Sequence, residues 1–130
     1  MNNNLSPRQK YILEDAGTEL PGSGQLLHVD KTGVYHCAKC DTPLFLSSSK
    51  YDSSTPGLIG WPSFDQAIQD SVEFREDKSL GQLRTEVICK QCGGHLGHVF
   101  AANDSSTGQH FCINSAGLCF EGQDGERIDG

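Results

Sequence analysis

Apolar and polar residues alternate along much of the second half of the chain. Val72 and Phe74 alternate with Glu73 and Arg75, and Leu83, Thr85, Val87 and Cys89 with Arg84, Glu86 and Ile88. A period of two marks strands with one buried and one wet face. His98-Val99-Phe100 and His110-Phe111-Cys112-Ile113-Asn114 continue the pattern, joined by the polar stretch 103–108. In the first half, Leu26-Leu27-His28-Val29 and Val34-Tyr35-His36-Cys37 flank Asp30-Lys31-Thr32-Gly33 and read as a hairpin, and Leu44-Phe45-Leu46 as a further short strand. Helical signals are few. Ser6-Pro7 predicts an N-cap and a helix over roughly 7–16, ending at Gly17. Ser63-Phe64-Asp65-Gln66 matches a capping box and predicts a short helix near Ile68. Gly/Pro/Ser-rich loops are expected at 17–24 and 47–60, and the polar tail 121–130 is expected to fray. The pattern is that of a mainly β fold, a small antiparallel sandwich or distorted barrel with a short N-terminal helix.

Composition narrows the choice. A chain of 130 residues suits one domain, 1–130 with a core over about 6–120, and 35% hydrophobic residues imply a modest core that benefits from a staple. The net charge of −7 argues against nucleic acid as a partner, because no basic surface offsets the phosphates. No apolar run approaches the roughly 18 residues of a membrane span, and Met1-Asn2-Asn3-Asn4-Leu5 lacks the basic and apolar regions of a secretory signal. A cytoplasmic monomer, bound to no membrane, is the expectation.

The six cysteines make a pattern. Cys37, Cys40, Cys89 and Cys92 form two C-x-x-C pairs, while Cys112 and Cys119 stand apart. Two C-x-x-C turns can complete a closed tetrahedral shell around one structural zinc ion. Gly93 after the second pair suits a tight knuckle, and Asp41 after the first tolerates a left-handed backbone. The 48 residues between the pairs mean that the two turns come from separate parts of the fold and clip them together. A redox-active dithiol usually accompanies a βαβ pattern, which is absent here, and two disulfides suit an oxidising compartment. A closed zinc site has no open position for substrate, so the chemistry falls to other residues.

In the strand 110–114, period two sends Phe111 and Ile113 to one face and His110, Cys112 and Asn114 to the other. His95-Leu96-Gly97-His98 supplies two more imidazoles. A thiol near histidines and an amide has the parts of a nucleophilic site. A lone strand cysteine can equally be a small buried hydrophobe.

Taken together, the motifs resemble the methionine-R-sulfoxide reductase family, MsrB. The matching segments are Gly17-Thr18-Glu19 with Ser23-Gly24, Gly33-Val34-Tyr35, Gly60-Trp61-Pro62-Ser63-Phe64, Cys89 through Phe100, and Phe111-Cys112-Ile113-Asn114-Ser115-Ala116, in order over about 6–120. The resemblance implies two small antiparallel sheets clipped by a zinc bound to Cys37, Cys40, Cys89 and Cys92. It implies Cys112 as the nucleophile that attacks the sulfoxide sulfur and becomes a sulfenic acid. His95, His98 and Asn114 would line the sulfoxide pocket, His95 being the favoured proton donor to the departing oxygen. Trp61 would offer a wall to the methyl group, with Phe111 and His110 as further substrate-site residues. Oxidised proteins or peptides would be the substrates, and thioredoxin or another thiol the reductant.

The chain departs from the family pattern in three places. His110 stands where arginine is common, two residues before the nucleophile, and histidine is mostly neutral at pH 7. The segment 53–60 is longer than usual, and Ile59 stands where many members carry a resolving cysteine. Cys119 is the other candidate to resolve Cys112, but seven extended residues span about 23 Å, against the roughly 7 Å between Cα atoms that a disulfide allows. Two other readings are a zinc-stabilised protein-binding module, which would not need the set Trp61, His95, His98, Cys112 and Asn114, and a C-x-x-C dithiol oxidoreductase.

Overall fold

The computed structural model describes residues 4–79 and 81–130. Met1, Asn2 and Asn3, part of the segment read for a secretory signal, lie outside the described residues. The helix α1 spans Pro7–Leu13. Ser6 caps it by accepting from the Gln9 N–H, while the Gln9 side chain accepts from the Ser6 N–H, and Pro7 occupies the first turn, where no donor is needed. It ends earlier than the expected residue 16. Ala16 takes a left-handed φ of 53°, and the Gly17 N–H closes back onto the Tyr11 carbonyl at 2.9 Å.

The strands are β1 (Gly33–Cys37), β2 (Pro43–Leu46), β3 (Lys50–Tyr51), β4 (Ser63–Phe64), β5 (Val72–Asp77), β6 (Arg84–Cys89), β7 (His95–Ala101), β8 (Gln109–Ile113), β9 (Leu118–Gly122) and β10 (Arg127–Asp129). They form two antiparallel sheets, a four-stranded one ordered β10-β9-β1-β2 and a six-stranded one ordered β3-β4-β8-β7-β6-β5. The mainly β expectation holds. An aromatic layer joins the sheets: Phe64 and Phe111 from the larger meet Tyr35 and Phe45 from the smaller, with Phe45 stacked on Phe64 at 4.3 Å and Phe120 packed on Tyr35 within the smaller sheet. Such pairs contribute about 0.5–1.5 kcal/mol each beyond the burial of area.

Other local expectations differ too, beginning with the loop expected over 47–60, which contains the short strand β3. Residues 26–29 form turns, not a strand, because β2 and β9 take both edges of β1, while the Leu26 N–H is bonded by Ser115 Oγ at 2.9 Å. No helix starts at Ser63. Ser63 and Phe64 are β4, between β3 and β8, and the Ser63 hydroxyl turns to His110 and the Trp61 carbonyl instead of capping. The tail 121–130 is not frayed either. β10 pairs with β9, with Ile128 opposite Phe120. No helix of the described residues is long and apolar enough to cross a membrane.

Candidate active site

Two hairpin turns, one from each sheet, carry the C-x-x-C pairs. In the β1–β2 turn the Asp41 N–H bonds the Cys37 carbonyl at 2.9 Å, and in the β6–β7 turn the Gly93 N–H bonds the Cys89 carbonyl at 2.8 Å. Asp41 (φ 64°) and Gly93 (φ 76°) take the same left-handed conformation after the second cysteine of each pair. The four sulfurs lie within 4.8 Å of one another, with Cys37 and Cys92 at 3.7 Å and Cys40 and Cys89 at 3.5 Å. Tetrahedral zinc with bonds of about 2.3 Å requires sulfurs about 3.8 Å apart, so the donor set and its spacing fit such an ion. Cys89 is already biased toward thiolate, lowered to about 5 first by the hydrogen bond from Cys37. The cluster clips the two sheets at one end.

The second constellation lies in the larger sheet. Cys112 on β8 is paired with Ser63 on β4 to one side and with His98 on β7 to the other. The strands can approach here because residue 97 is glycine: a Cβ on Gly97 would stand 2.1 Å from the Cys112 carbonyl oxygen. A cavity of about 100 Å³ opens beside Cys112, with Trp61, Leu58 and Phe100 as apolar walls and His98, Arg84 and Asn114 as polar ones. Trp61 is fixed by its indole N–H, which donates to the Glu19 carbonyl at 3.0 Å.

Each histidine of the H-L-G-H segment is held by a carboxylate, His95 by one from the adjacent β6 and His98 by one from β5, a strand further on. His98 Nε2 lies 2.7 Å from Asp77 Oδ2, and His95 Nδ1 lies 2.6 Å from Glu86 Oε2. Asp77 also binds Arg84 at 3.0 Å. Hydrogen bonds from Ser79 and then from His98 hold the Asp77 carboxyl well below the usual range. Burial pushes His98 down, and Asp77 pulls it partly back. His98 lines the cavity. His95 stands behind it, ring centroids 5.4 Å apart, buried, with its Nε2 making no hydrogen bond among the described residues. The Cys112 thiol is pushed up to about 12, first by burial and then by the charge of Glu19.

Asn114 lines the cavity, but its amide is committed to the backbone. Its Oδ1 accepts from the Glu19 N–H at 3.0 Å, and its Nδ2 donates to the Leu96 and Gly17 carbonyls at 3.1 and 3.4 Å. It ties the 17–19 segment to the site. Phe111 faces the core, against Phe45 and Phe74, and does not line the cavity. His110 is fully buried on the Ser63 side of Cys112 and does not line the cavity either. Cys119 sits on β9 in the other sheet, 3.3 Å from Arg127 Nη2, and opens onto a different cleft, shared with Cys40 and Asp129.

Glu19, Asp77, Glu86, Arg84 and Leu58 carry no role in the sequence reading. The alternation through β5 and β6 put polar residues at 77, 84 and 86, but which histidine each would meet depended on the register of β7. Glu19 belongs to a loop with no periodicity. Its buried carboxylate accepts the N–H groups of Ser115 and Ala116 at 2.8 and 3.0 Å, holding the turn that follows Cys112.

A thiol, a carboxylate-held imidazole and an apolar wall meet at one small cavity, on a β fold that carries a four-cysteine cluster. The SelR domain model matches residues 5–122, and the chain belongs to the SelR domain family. It is also similar to proteins named peptide methionine sulfoxide reductase MsrB from Escherichia coli strains K12/DH10B, O157:H7 EC4115 and SE11. Each is 46% identical over 129 residues, covering 98% of this chain and 91% of the relative.

Proposed function

We propose that this chain reduces methionine sulfoxide in peptides and proteins, with Cys112 as the nucleophile. The observation that carries the reading is the cavity in which Cys112, His98 and Trp61 converge, in a chain similar over nearly its full length to proteins of that activity. Trp61, Leu58 and Phe100 receive the methyl group and the side-chain stem. His98 and Arg84 face the sulfoxide oxygen. Cys112 sulfur attacks the sulfoxide sulfur. The oxygen passes to Cys112 as it is protonated, methionine leaves reduced by two electrons, and Cys112 remains as the sulfenic acid. Asp77 stabilises the imidazolium that supplies that proton, a role His98 fills better than His95 because it lies on the cavity wall. A well-placed acid contributes about 10²–10⁴ in rate. His95, held by Glu86, sets the position of His98 from behind, and Asn114 anchors the 17–19 segment.

Two external thiols complete the cycle: one condenses with the sulfenic acid and releases water, and the second frees Cys112 as a disulfide forms. A thioredoxin dithiol fits this role in a cytoplasmic chain. Cys119, in the other sheet, does not supply it. Cys37, Cys40, Cys89 and Cys92 would hold one zinc ion, which closes the join between the sheets and lies outside the reaction. One apolar wall and one polar end would tell the two sulfur epimers apart, and the resemblance to the methionine-R-sulfoxide reductase family makes the R form the expected substrate. A mere binding module has no need of a thiol beside a carboxylate-held histidine.

The test is thioredoxin-coupled turnover on a peptide carrying either sulfoxide epimer. Turnover on the R epimer, lost in Cys112→Ser without loss of fold, is the expected result. Equal rates on both epimers, or near-normal turnover in Cys112→Ser, would overturn the reading.

A further inference from the structure

Between β3 and β4 the chain leaves the larger sheet, and Leu58 from that loop forms part of the apolar wall of the cavity. A loop side chain makes a defined wall only if the backbone beneath it is fixed. Part of the support is local. Thr55-Pro56-Gly57-Leu58 is a tight turn: the Leu58 N–H bonds the Thr55 carbonyl at 3.0 Å, Pro56 takes the second position, and Gly57 takes the left-handed third at φ 86°. At the far end of the loop the Gly60 carbonyl accepts from the Gly22 N–H at 2.8 Å, and a Cβ on Gly60 would stand 2.8 Å from the Pro21 Cβ. At the near end stands one carboxylate.

Asp104 belongs to the loop between β7 and β8. Its Oδ1 accepts from the Tyr51 hydroxyl at 3.2 Å, and its Oδ2 accepts from the Ser53 hydroxyl at 3.3 Å and the Ser54 N–H at 3.0 Å. Ser53 Oγ in turn accepts from the Thr55 N–H at 3.2 Å, so the contact passes directly into the turn that carries Leu58. The Asp104 side chain is 9% exposed, with His110 Nδ1 behind it at 3.4 Å from Oδ1. Its own loop is held to the sheet: the Ser106 hydroxyl donates to the Asp65 carboxylate and the Thr107 hydroxyl to the Asp65 carbonyl, both at 2.6 Å. Against the opposing pull of its burial, hydrogen bonds from Thr55, Ser54 and Tyr51 hold the Asp104 carboxyl down to about 2, so it is charged at neutral pH. A buried carboxylate is costly unless its lone pairs are filled. Here the 51–55 segment fills them, so releasing the loop would strand the charge.

We infer that Asp104 is the latch that holds Leu58 against the substrate, and that the latched loop sets how large an S-alkyl group the site admits. The inference rests on the reading of the cavity as the sulfoxide site. Asp104 does not line the cavity and is a positioning residue; Leu58 determines specificity. The other apolar walls are fixed by different means, Trp61 by its indole N–H on the Glu19 carbonyl and Phe100 by its place in β7. Leu58 is therefore the wall that can open without disturbing the sheet. With all three closed around about 100 Å³, an S-methyl group fits, and a longer S-alkyl group requires the loop to give way.

The experiment compares kcat/KM for a peptide carrying methionine sulfoxide with that for the same peptide carrying the S-ethyl homologue in the same sulfur configuration. One methylene in an apolar pocket is worth about 10–200-fold, and the wild-type protein should favour the methyl substrate within that range. Leu58→Ala and Asp104→Ala should each lower the methyl-to-ethyl ratio about tenfold, the lower end of the same range. The double variant should fall no further than Leu58→Ala, because both changes remove one wall. A merely structural loss would reduce both rates alike and leave the ratio where it was. Ser53→Ala, on the loop itself, should shift the ratio the same way and serves if Asp104→Ala does not fold.

A second readout needs no turnover. Trp61 is the only tryptophan in the chain and lines the cavity with Leu58. In Asp104→Ala and Ser53→Ala its emission should shift to the red, and acrylamide should quench it faster. A protein that reduces neither peptide but shows this change would sink the proposed function and leave the latch. An unmoved ratio, a double variant below Leu58→Ala, or unmoved Trp61 quenching in the folded variants overturns it.

Discussion

Removal of the Glu19 carboxylate should weaken the fold and sharpen the thiol at once. Glu19 Oε2 and Oε1 accept the N–H groups of Ser115 and Ala116, both fully buried, in the turn that leaves the Cys112 strand. In Glu19→Ala both donors lose their partner. A buried donor left unpaired costs about 1–3 kcal/mol, so the loss should be about 2–6 kcal/mol. The Arg8 contact at 3.4 Å adds little, because Arg8 is largely in solvent. Glu19→Gln keeps the shape and one acceptor, and should cost about half as much. The same charge helps hold the Cys112 thiol up. Glu19→Gln should therefore lower the thiol's pKa and speed its alkylation at pH 8, while the fold becomes weaker. Urea unfolding with zinc in excess gives the first quantity, and iodoacetamide labelling of Cys112 gives the second. A Glu19→Ala protein within about 0.5 kcal/mol of wild type, the scatter of ordinary surface changes, would refute the anchoring role. Slower labelling in Glu19→Gln would refute the electrostatic one.

Cys40→Ser should lower bound zinc from about one ion per chain and lower the yield of folded protein, as read by elemental analysis and circular dichroism; a fully folded, metal-free protein would contradict it. Cys119→Ser should keep most thioredoxin-linked turnover, because Cys119 lies in a different sheet from Cys112; a Cys112–Cys119 disulfide after one equivalent of substrate would show otherwise. Stability should fall between about pH 7 and 5. Burial lowers His98 and His110 in the folded state, so unfolded chains take up more protons as pH drops through their ordinary value near 6.5. The contribution is fully present above that value and is lost as pH falls toward the folded pKa. Unfolding free energies equal at pH 7.5 and 5.5 would exclude it.

The sequence by itself determined the composition of both centres. Cys37, Cys40, Cys89 and Cys92 announced a metal clip because a short turn bearing two sulfurs is a local feature, and Gly93 and Asp41 even indicated its left-handed backbone. Alternation through 109–114 put Cys112 opposite Phe111, since strand period is also local. The N-cap at Ser6 was legible for the same reason. Tertiary structure decided everything that depended on which strands meet. Leu26–Val29 and Val34–Cys37 looked like partners, but β1 pairs with Pro43–Leu46 and with a strand some 80 residues later. Ser63 carries a capping signal, yet pairing with Cys112 outweighs it, because β4 fills an edge of β8 that would otherwise leave backbone donors and acceptors unpaired. The same register put His98 on the cavity wall and His95 behind it, brought Asp77 and Glu86 to them from β5 and β6, and turned His110 away from the substrate side toward Ser63 and Asp104. Residue types are local, but hydrogen-bond register across sheets is set by how all the strands satisfy their backbones at once.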